Sequence, residues 1–264
     1  ILESQTMALE GANRKLMALD VQKSKFLEIV AHDLRTPLTS ILSYADLLLR
    51  YKDEAEETKN EFLRTIIHES RRLGDLINDY LDLSKIESGL MEFRQERLNF
   101  KDVIDQAVSL YMGAAVQKGI EIRAAQVSDP LWVTGDKNRL LQVMNNLLSN
   151  AVKFTPDFGK VEVEAFIDGP SASLKVSVMD TGPGVPEASL EDIFNKFVQV
   201  HDGKTHVIGG TGLGLPICRE VMSHHGGRIW AENREGGGAA FCCVFPLAPG
   251  GVSAGRAEEH LKSK

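Results

Sequence analysis

Residues 26–49, FLEIVAHDLRTPLTSILSYADLLL, decide the fold of the first part of the chain. Their apolar side chains recur every three or four positions, the spacing that forms one buried stripe along an amphipathic helix. The polar face carries His32, with Asp33 beside it and Thr36 one helical turn away. Pro37 lacks a backbone donor, so we expect the helix to bend about one turn beyond the histidine. The pattern therefore displays one histidine, with an acid and a hydroxyl as neighbours, on the polar face of a helix.

Two further helical segments flank this stretch. Over residues 1–21, leucines at seven-residue spacing predict a coiled-coil helix. Residues 58–88 repeat the three-and-four spacing and predict a second amphipathic helix, so that residues 22–92 form a helical hairpin. Each helix has a wider apolar stripe than one partner can cover, and pairing two hairpins into a four-helix bundle would bury both stripes. We therefore predict a homodimer through the hairpin.

The sequence after Gly89 predicts a different architecture. Segments rich in β-forming residues alternate with helical segments, which indicates a mixed α/β sandwich over residues 93–248. The tail over residues 249–264 is small, polar and charged, and we expect it to be disordered. The fold class is thus α+β multidomain, a long helical hairpin followed by an α/β sandwich. The predicted strands are residues 119–127, 160–167, 172–180, 227–232 and 239–247, and the predicted helices are residues 101–117, 137–153 and 213–225.

The composition narrows the class of protein. The 264 residues are 43% hydrophobic, enough for two domain cores, and a formal net charge of −7 without a dense basic tract argues against a nucleic-acid partner. No apolar run reaches the ~20 residues that span a bilayer, so we expect no membrane contact by this fragment. The cysteines Cys218, Cys242 and Cys243 lack metal-ligand spacing and indicate reduced, packed thiols in a cytoplasmic protein. Because the chain begins at Ile1 rather than Met, we expect any membrane anchor or sensor to lie upstream of it.

A predicted helix within residues 136–154 carries the pattern Asn-x-x-x-Asn. Asn146, Asn150 and Lys153 follow each other at intervals of four and three, and so share one helical face. An amide oxygen is a hard, neutral ligand suited to Mg²⁺, and a lysine one turn away can meet the phosphate groups that the metal also holds. The same residues would also be ordinary on an exposed helix surface.

Two glycine-rich segments follow that helix. In DTGPGV, residues 180–185, Asp180 ends an apolar strand and precedes glycines whose backbone can approach a flat ligand such as adenine. A strand end before a tight turn would look the same. In GGTGLGL, residues 209–215, the glycines lead into a helix N-terminus that favours phosphate, but the lysine of a Walker A loop is missing. Weak periodicity over residues 181–212 predicts a long loop that can close over a ligand.

The order of these segments is more specific than any one of them. The chain resembles the catalytic core of sensor histidine kinases over about residues 22–247, with an H box at HDLRTP, an N box ending at Lys153 and a first G box at residues 180–184. An F box at residues 194–197 and a second G box at residues 210–214 complete the pattern. Five motifs in the family's order make chance a poor explanation.

The resemblance implies a dimerisation and phosphotransfer hairpin, a Bergerat-type ATP-binding domain and, over residues 1–21, a signal-transmission helix. It implies ATP and Mg²⁺ as cofactors and the receiver domain of a response regulator as partner. His32 would be the phosphoacceptor, with Asp33 and Thr36 as its catalytic neighbours. Asn150 would be the Mg²⁺ ligand, and Asp180 would recognise adenine. The remaining nucleotide-contacting residues would be Asn146, Lys153, Phe154, Gly182, Gly184, Val185, Phe197, Gly210, Thr211, Gly212, Leu213, Gly214 and Leu215.

Two other functions remain open from the sequence. Related ATPases of this fold use a glutamate where this chain has Asn146, and an amide cannot take a proton from water, which disfavours hydrolysis. A scaffold of the same fold that only binds nucleotide is the second alternative. The spacing His-Asp-x-x-Thr also resembles that of family members that remove phosphate from their partner, with Thr36 positioning a water.

The chain departs from the family pattern at two places. Many members have an arginine soon after the F-box phenylalanine, where this chain has Val198, and Ala239 replaces a hydroxyl residue late in the domain. Lys196 or Lys204 are candidates for the missing cation. Other histidines are expected to be structural or exposed: His68 on the second hairpin helix, and His224 and His225 at the end of a helix.

Overall fold

The computed structural model describes residues 28–51, 55–124, 130–168, 173–196, 198 and 212–248. The coiled coil predicted over residues 1–21 and the tail over residues 249–264 lie outside this part of the chain. The chain divides into two compact units, Ile1–Ser84 and Lys85–Lys264, and the domain boundaries predicted from the sequence stay predictions. No helix among the described residues combines the length and the apolar character that a membrane span requires.

The first unit contains the predicted helical hairpin. Its first helix, α1, is continuous over residues 28–50 and passes through the buried Pro37, so the proline does not end the helix, and the bend expected there stays a prediction. The second helix, α2, extends over Glu56–Glu87. Leu76, Tyr80 and Leu83 of α2 are buried. Another set of apolar side chains is at least 43% exposed in the single chain: Leu38, Leu42, Leu49, Leu63, Ile67, Ile77 and Leu81.

Among its described residues, the second unit combines a five-stranded sheet with three helices. The elements are β1 (Glu96–Asn99), α3 (Phe100–Gln117), β2 (Glu121–Ala124), β3 (Trp132–Gly135), α4 (Lys137–Phe154), β4 (Lys160–Asp168), β5 (Ser173–Asp180), α5 (Gly214–His224), β6 (Arg228–Asn233) and β7 (Ala239–Pro246). The sheet has the strand order β2-β4-β5-β7-β6, in which β2 and β4 are parallel and the other neighbours antiparallel. Outside it, β1 and β3 form an antiparallel pair. The predicted α+β architecture is confirmed.

The core of this unit lies between the sheet and the helices. Helix α4 packs against α3, α5 and β5, and its apolar residues repeat at the helical period, so one face is buried from end to end. On β5 the buried apolar side chains occupy alternate positions, as expected for the face against the core, and Ser177 on the other face is buried as well. The largest buried side chains of these two elements are Leu140, Met144, Leu147, Leu148 and Leu174.

The pair β1 and β3 was absent from the sequence prediction. Each strand has only four residues, too few for alternation to be recognised. Their pairing sets Leu98 opposite Val133, both buried, and brings Asn99 to the start of α3. There the Asn99 side chain accepts hydrogen bonds from the backbone N–H of Lys101 and Leu131, at 3.2 and 3.0 Å. The small sheet therefore fixes where α3 begins.

Both ends of α4 are held by charged side chains. At its N-terminus, Asp136 Oδ1 accepts from the backbone N–H of Asn138 and Arg139, at 3.0 and 3.1 Å. At its C-terminus, Lys118 Nζ donates to the carbonyl oxygens of Val152 and Thr155, at 2.8 and 2.6 Å. An anion at the N-terminus and a cation at the C-terminus both oppose the helix dipole. The helix that carries Asn146 and Asn150 is therefore fixed at each end.

Alanine substitutions at two glycines, one inside α3 and one just after it, test whether each position requires the conformational freedom of glycine. Gly113 lies inside α3 with open space around its Cα, so Gly113→Ala should stabilise the protein by about 0.5–1 kcal/mol through helix propensity. Gly119 has a φ of +65°, and a Cβ there would lie 2.7 Å from the Phe158 ring, so Gly119→Ala should destabilise it by about 1–2 kcal/mol.

Urea unfolding followed by tryptophan fluorescence measures both effects, because both tryptophans, Trp132 and Trp230, lie in the second unit. Equal shifts of the unfolding midpoint in the same direction for the two variants would contradict the assignment.

Candidate functional site

His32 is displayed on α1 with an acid partner. Its side chain is 77% exposed, and its Nδ1 lies 3.3 Å from Asp33 Oδ1. A carboxylate accepts hydrogen bonds, so this contact places the ring proton on Nδ1 and leaves the lone pair on Nε2. Thr36 Oγ1 donates to the backbone carbonyl of His32 at 3.3 Å, one turn along the same helix. The three residues that the sequence singled out on this helix therefore lie together.

Asp33 also has a partner on the other helix of the hairpin. The hydroxyl of Tyr80 donates to Asp33 Oδ2 at 3.3 Å, while Oδ1 faces the imidazole. Sequence reasoning missed Tyr80, because the contact joins residues 47 positions apart and the tyrosine occupies an apolar position of α2. The second histidine of the hairpin, His68, pairs with Glu69 at 3.1 Å and is 76% exposed.

The two asparagines of α4 have different surroundings. Asn146 Nδ2 donates to the backbone carbonyl of Gly214 at 3.3 Å and contacts Cys218 Sγ at 3.5 Å, so its amide joins α4 to the first turns of α5. Asn150, one turn further on, is half-buried. Lys153 Nζ lies 4.7 Å from the centre of the Phe154 ring, which is 44% exposed. The amides and the ammonium group thus follow one helix side, as the spacing predicts.

Asp180 ends β5 as a buried carboxylate. It is 4% exposed, and its Oδ1 accepts hydrogen bonds from the backbone N–H of Gly182 at 2.7 Å and of Ala239 at 3.3 Å. Burial raises the pKa of Asp180 above its ordinary value, and these two donors with the Arg234 charge offset only part of that effect. A carboxylate with this environment is retained at an energetic cost, which is typical of a group kept for recognition.

The loop after Asp180 is held by the turn between β6 and β7. Asn233 Oδ1 accepts from the backbone N–H of Val185 at 2.8 Å, and its Nδ2 donates to the Val185 carbonyl at 2.6 Å. Arg234 donates to the Asp180 carbonyl at 3.2 Å and to Glu162 Oε2 at 2.9 Å. Neither Asn233 nor Arg234 was predicted as a site residue. Their partners lie 48 or more positions away, so no local motif reports the contacts.

Glycines are required where these backbones meet. A Cβ at Gly238 would overlap the carbonyl oxygen of Asp180, and Gly238 has a φ of +92°. A Cβ at Gly182 would lie 2.8 Å from Asp180 Oδ1, which would break the hydrogen bond that the Gly182 N–H donates. These glycines therefore allow close approach between backbone segments and the Asp180 side chain, while the predicted approach to a flat ligand stays a prediction.

The described part of the second glycine segment forms the start of α5. Gly212 has a φ of +66°, Leu213 is fully buried, and Leu215 is half-buried. A Cβ at Gly214 would contact the Asn146 amide at 3.4 Å. Gly210, Thr211, Phe197 and Lys204 lie outside the described residues. The predicted loop contains two short 3₁₀ turns where it is described, Glu187–Ser189 and Asp192–Phe194.

His225 has a larger structural role than its sequence suggested. It is 7% exposed, its Nε2 accepts the backbone N–H of Asp136 at 2.9 Å, and its Nδ1 donates to the Val221 carbonyl at 2.7 Å. Both nitrogens are thus used inside the protein, and His225 ties the end of α5 to the start of α4. His224 stacks on Phe93 at 4.4 Å between ring centres. Both histidines have structural contacts, as expected.

A metal would find few charged ligands here. Among the described residues, no group of three or more His, Cys, Asp or Glu side chains is arranged to hold a cation. The half-buried Asn150 offers one amide oxygen, so a bound Mg²⁺ would take most of its other ligands from phosphate and water. This donor set fits a metal that arrives with a nucleotide. The three cysteines are free and buried, as predicted.

Comparisons with known proteins agree with this geometry. Residues 22–89 match the His Kinase A (phospho-acceptor) domain, and residues 135–249 match the family of histidine kinase-, DNA gyrase B- and HSP90-like ATPases. Hybrid signal transduction histidine kinase D of Dictyostelium discoideum is 33% identical over all of this chain and 17% of its own length. Sensor histidine kinase WalK of Bacillus subtilis is 33% identical over 86% of this chain and 37% of its own length. The chain therefore spans well under half of these relatives.

Solved structures give the same result for the fold. The catalytic domain of histidine kinase ThkA is 34% identical and aligns over its full length with 60% of this chain, with a TM-score of 0.52. A structure of ThkA in complex with response regulator protein TrrA is 27% identical and aligns with 90% of this chain and 64% of its own, with a TM-score of 0.63.

Two buried aspartates of the second unit should respond to pH with opposite signs. The pKa of Asp180 is raised in the fold, so the folded state binds this proton more tightly than the unfolded state does. The resulting stabilisation is present below the ordinary pKa and is lost as pH rises through the raised pKa. Burial alone would also raise the pKa of Asp136, but the N–H groups of Arg94, Arg139 and Asn138 and the Arg139 charge outweigh it and lower the pKa. Its contribution is present at neutral pH and is lost as pH falls through the lowered pKa.

We therefore expect Asp180→Asn to be more stable than the wild type at pH 7, and Asp136→Asn to be less stable. The Asp180 difference should shrink toward about pH 4, because that carboxylate becomes neutral as pH falls through its raised pKa. The Asp136 difference should persist at about pH 4, because its pKa is lowered below the ordinary value. Urea unfolding of the three proteins at the two pH values, without nucleotide, measures this. A loss of stability in Asp180→Asn at pH 7 would contradict the cost assigned to its burial.

Proposed function

The chain belongs to the histidine kinase family, and we propose that it autophosphorylates His32 from Mg-ATP and passes the phosphoryl group to an aspartate of a response-regulator receiver domain. The observation that carries the proposal is the exposed His32, paired through Nδ1 with Asp33, in the same chain as a nucleotide-type site around Asn150 and Asp180. An imidazole with its proton on Nδ1 has a nucleophilic lone pair on Nε2.

The phosphorylation step follows from that protonation state. Nε2 of His32 attacks the γ-phosphorus, the bond from phosphorus to the bridging β–γ oxygen breaks, and ADP leaves with the bonding electrons. The imidazole becomes more acidic as the N–P bond forms, and Asp33 accepts the Nδ1 proton. In the second step the N–P bond breaks as an aspartate oxygen of the receiver domain takes the phosphoryl group.

The nucleotide half of the proposal uses residues of the second unit. The Asp180 carboxylate would accept a hydrogen bond from the adenine amino group, and the loop of residues 182–185 would lie along the ring. Asn150 would hold Mg²⁺, which when bound neutralises phosphate charge, and Lys153 and Asn146 would serve the phosphate end. Phe154, Leu213, Gly214 and Leu215 would line the pocket. Gly210, Thr211 and Phe197 keep their predicted roles as contacts of the loop.

Hydrolysis of ATP is the less favoured reaction. The position that holds the water-activating glutamate in related ATPases is occupied here by Asn146. Its amide nitrogen already donates to the Gly214 carbonyl. An amide cannot act as a base, so water lacks a proton acceptor at this position.

The exposed apolar residues of the hairpin support a homodimer, because a second hairpin would cover Leu38, Leu42 and the other exposed side chains.

Labelling with γ-³²P-ATP tests the proposal. We expect acid-labile, base-stable label on the 264-residue chain, its loss with EDTA, and its complete loss in His32→Gln. His68→Gln is the matched control, because His68 is also an exposed histidine with an adjacent acid in the same hairpin, and it should keep full labelling. Nucleotide binding without any label would favour a scaffold, and phosphate release at the same rate in His32→Gln would favour an ATPase.

Thr36 supports a second activity on the same partner. Its hydroxyl lies one turn from His32 and donates to the His32 carbonyl, which leaves its oxygen lone pairs able to accept a hydrogen bond from water. We expect Thr36→Ala to slow dephosphorylation of a phosphorylated receiver domain by at least about 10-fold, the scale of one lost catalytic hydrogen bond, with little change in His32 labelling. Thr39→Ala, on the same helix, is the control. Unchanged dephosphorylation in Thr36→Ala would reject this role.

A further inference from the structure

Tyr80 links the second helix of the hairpin to the acid beside His32. Its hydroxyl donates to Asp33 Oδ2 at 3.3 Å, and Oδ1 of the same carboxylate lies 3.3 Å from His32 Nδ1. Tyr80 is 8% exposed, whereas the His32 side chain is 77% exposed. The Asp33 carboxylate therefore lies between a buried phenol on α2 and an exposed imidazole on α1.

Toward the Asp33 carboxylate, the Tyr80 phenol can act only as a hydrogen-bond donor. Burial first, and then the charge of Asp33, the hydrogen bond to it and the charge of Asp79, raise the pKa of Tyr80 well above its ordinary value. The hydroxyl thus keeps its proton at every physiological pH. Among the described residues, the charged or titratable groups around this contact include His32 and Asp33 from α1, and Asp79 from α2.

An anchored carboxylate differs from a free one in its orientation. Asp33 is the immediate neighbour of His32, and residues adjacent in a helix point in different directions, so its carboxylate must be turned to reach the ring. A hydrogen bond to Oδ2 from a buried group restricts that rotation and keeps Oδ1 at Nδ1. Groups that orient a catalytic acid or base in this way commonly affect rate without contacting the substrate.

We infer that Tyr80 is a positioning residue for the phosphorylation of His32, acting through the Asp33 carboxylate. The inference rests on the proposed function, since it assigns to Asp33 the Nδ1 proton that is released when Nε2 attacks phosphorus. The Tyr80 hydrogen bond to Oδ2 keeps the carboxylate turned so that Oδ1 faces Nδ1 and can accept that proton. The proton moves from Nδ1 to Oδ1, and Tyr80 keeps its own.

The substitution Tyr80→Phe tests this with the ring kept in place. We expect autophosphorylation at saturating ATP to slow by about 10-fold, the scale of one lost hydrogen bond to a charged group, while the KM for ATP stays unchanged. Tyr44→Phe is the matched control, since Tyr44 lies on α1 with its ring 5.4 Å from that of Phe62, and it should leave both unchanged.

A double-mutant cycle separates this role from a general effect on the hairpin. If Tyr80 acts through Asp33, then Tyr80→Phe should cause no further loss in an Asp33→Asn background, measured by initial labelling rates. An equal 10-fold loss in that background would overturn the inference. So would a Tyr80→Phe protein with the wild-type rate at saturating ATP. Absence of label in the wild type would instead overturn the proposed function, whatever Tyr80 does.

Discussion

The fixed position of α4 is the constraint on which the rest of the second unit depends. Asp136 caps its N-terminus, Lys118 holds its final carbonyl oxygens, and its buried face packs against two helices and β5. Each charged cap contributes on the order of 1 kcal/mol, and both oppose the helix dipole. Asn146 and Asn150 share this helix, so their relative position is set by helical geometry. The same Asp136 receives the backbone N–H of Arg94 and donates its own N–H to His225, which joins three segments at one residue.

Stability and recognition make opposing demands at Asp180. The buried carboxylate costs free energy, and the structure offsets only part of that with two backbone donors and the nearby Arg234. Part of this compensation comes from neighbours far along the chain, because the β6–β7 turn supplies Ala239, Arg234 and Asn233 to hold Asp180 and Val185. The proposed adenine site would thus be built from two separate loops. A buried acid kept at a cost is consistent with a site selected for binding rather than for folding.

Much of the fold was predictable because its signals are local. The helices have long apolar periods, and the strands β4, β5 and β7 are rich in β-forming residues, so each was found within a few residues. The pair β1 and β3 was missed because four-residue strands carry too little pattern. His225 was predicted to have no more than a helix-end role, since its partner Asp136 lies 89 positions away. Tyr80, Asn233 and Arg234 were missed for the same reason, as each acts across the fold.

The sequence by itself determined which chemistry is proposed for this protein, because the roles proposed for His32, Asn150, Asp180 and the glycine segments follow from residue type and spacing. It also determined the helices, since their period depends only on neighbours along the chain. Only the tertiary structure decided which groups hold those residues in place. Tyr80 meets Asp33, Asn233 meets Val185 and Lys118 meets the end of α4 because packing brings distant segments together, and no local pattern encodes such contacts.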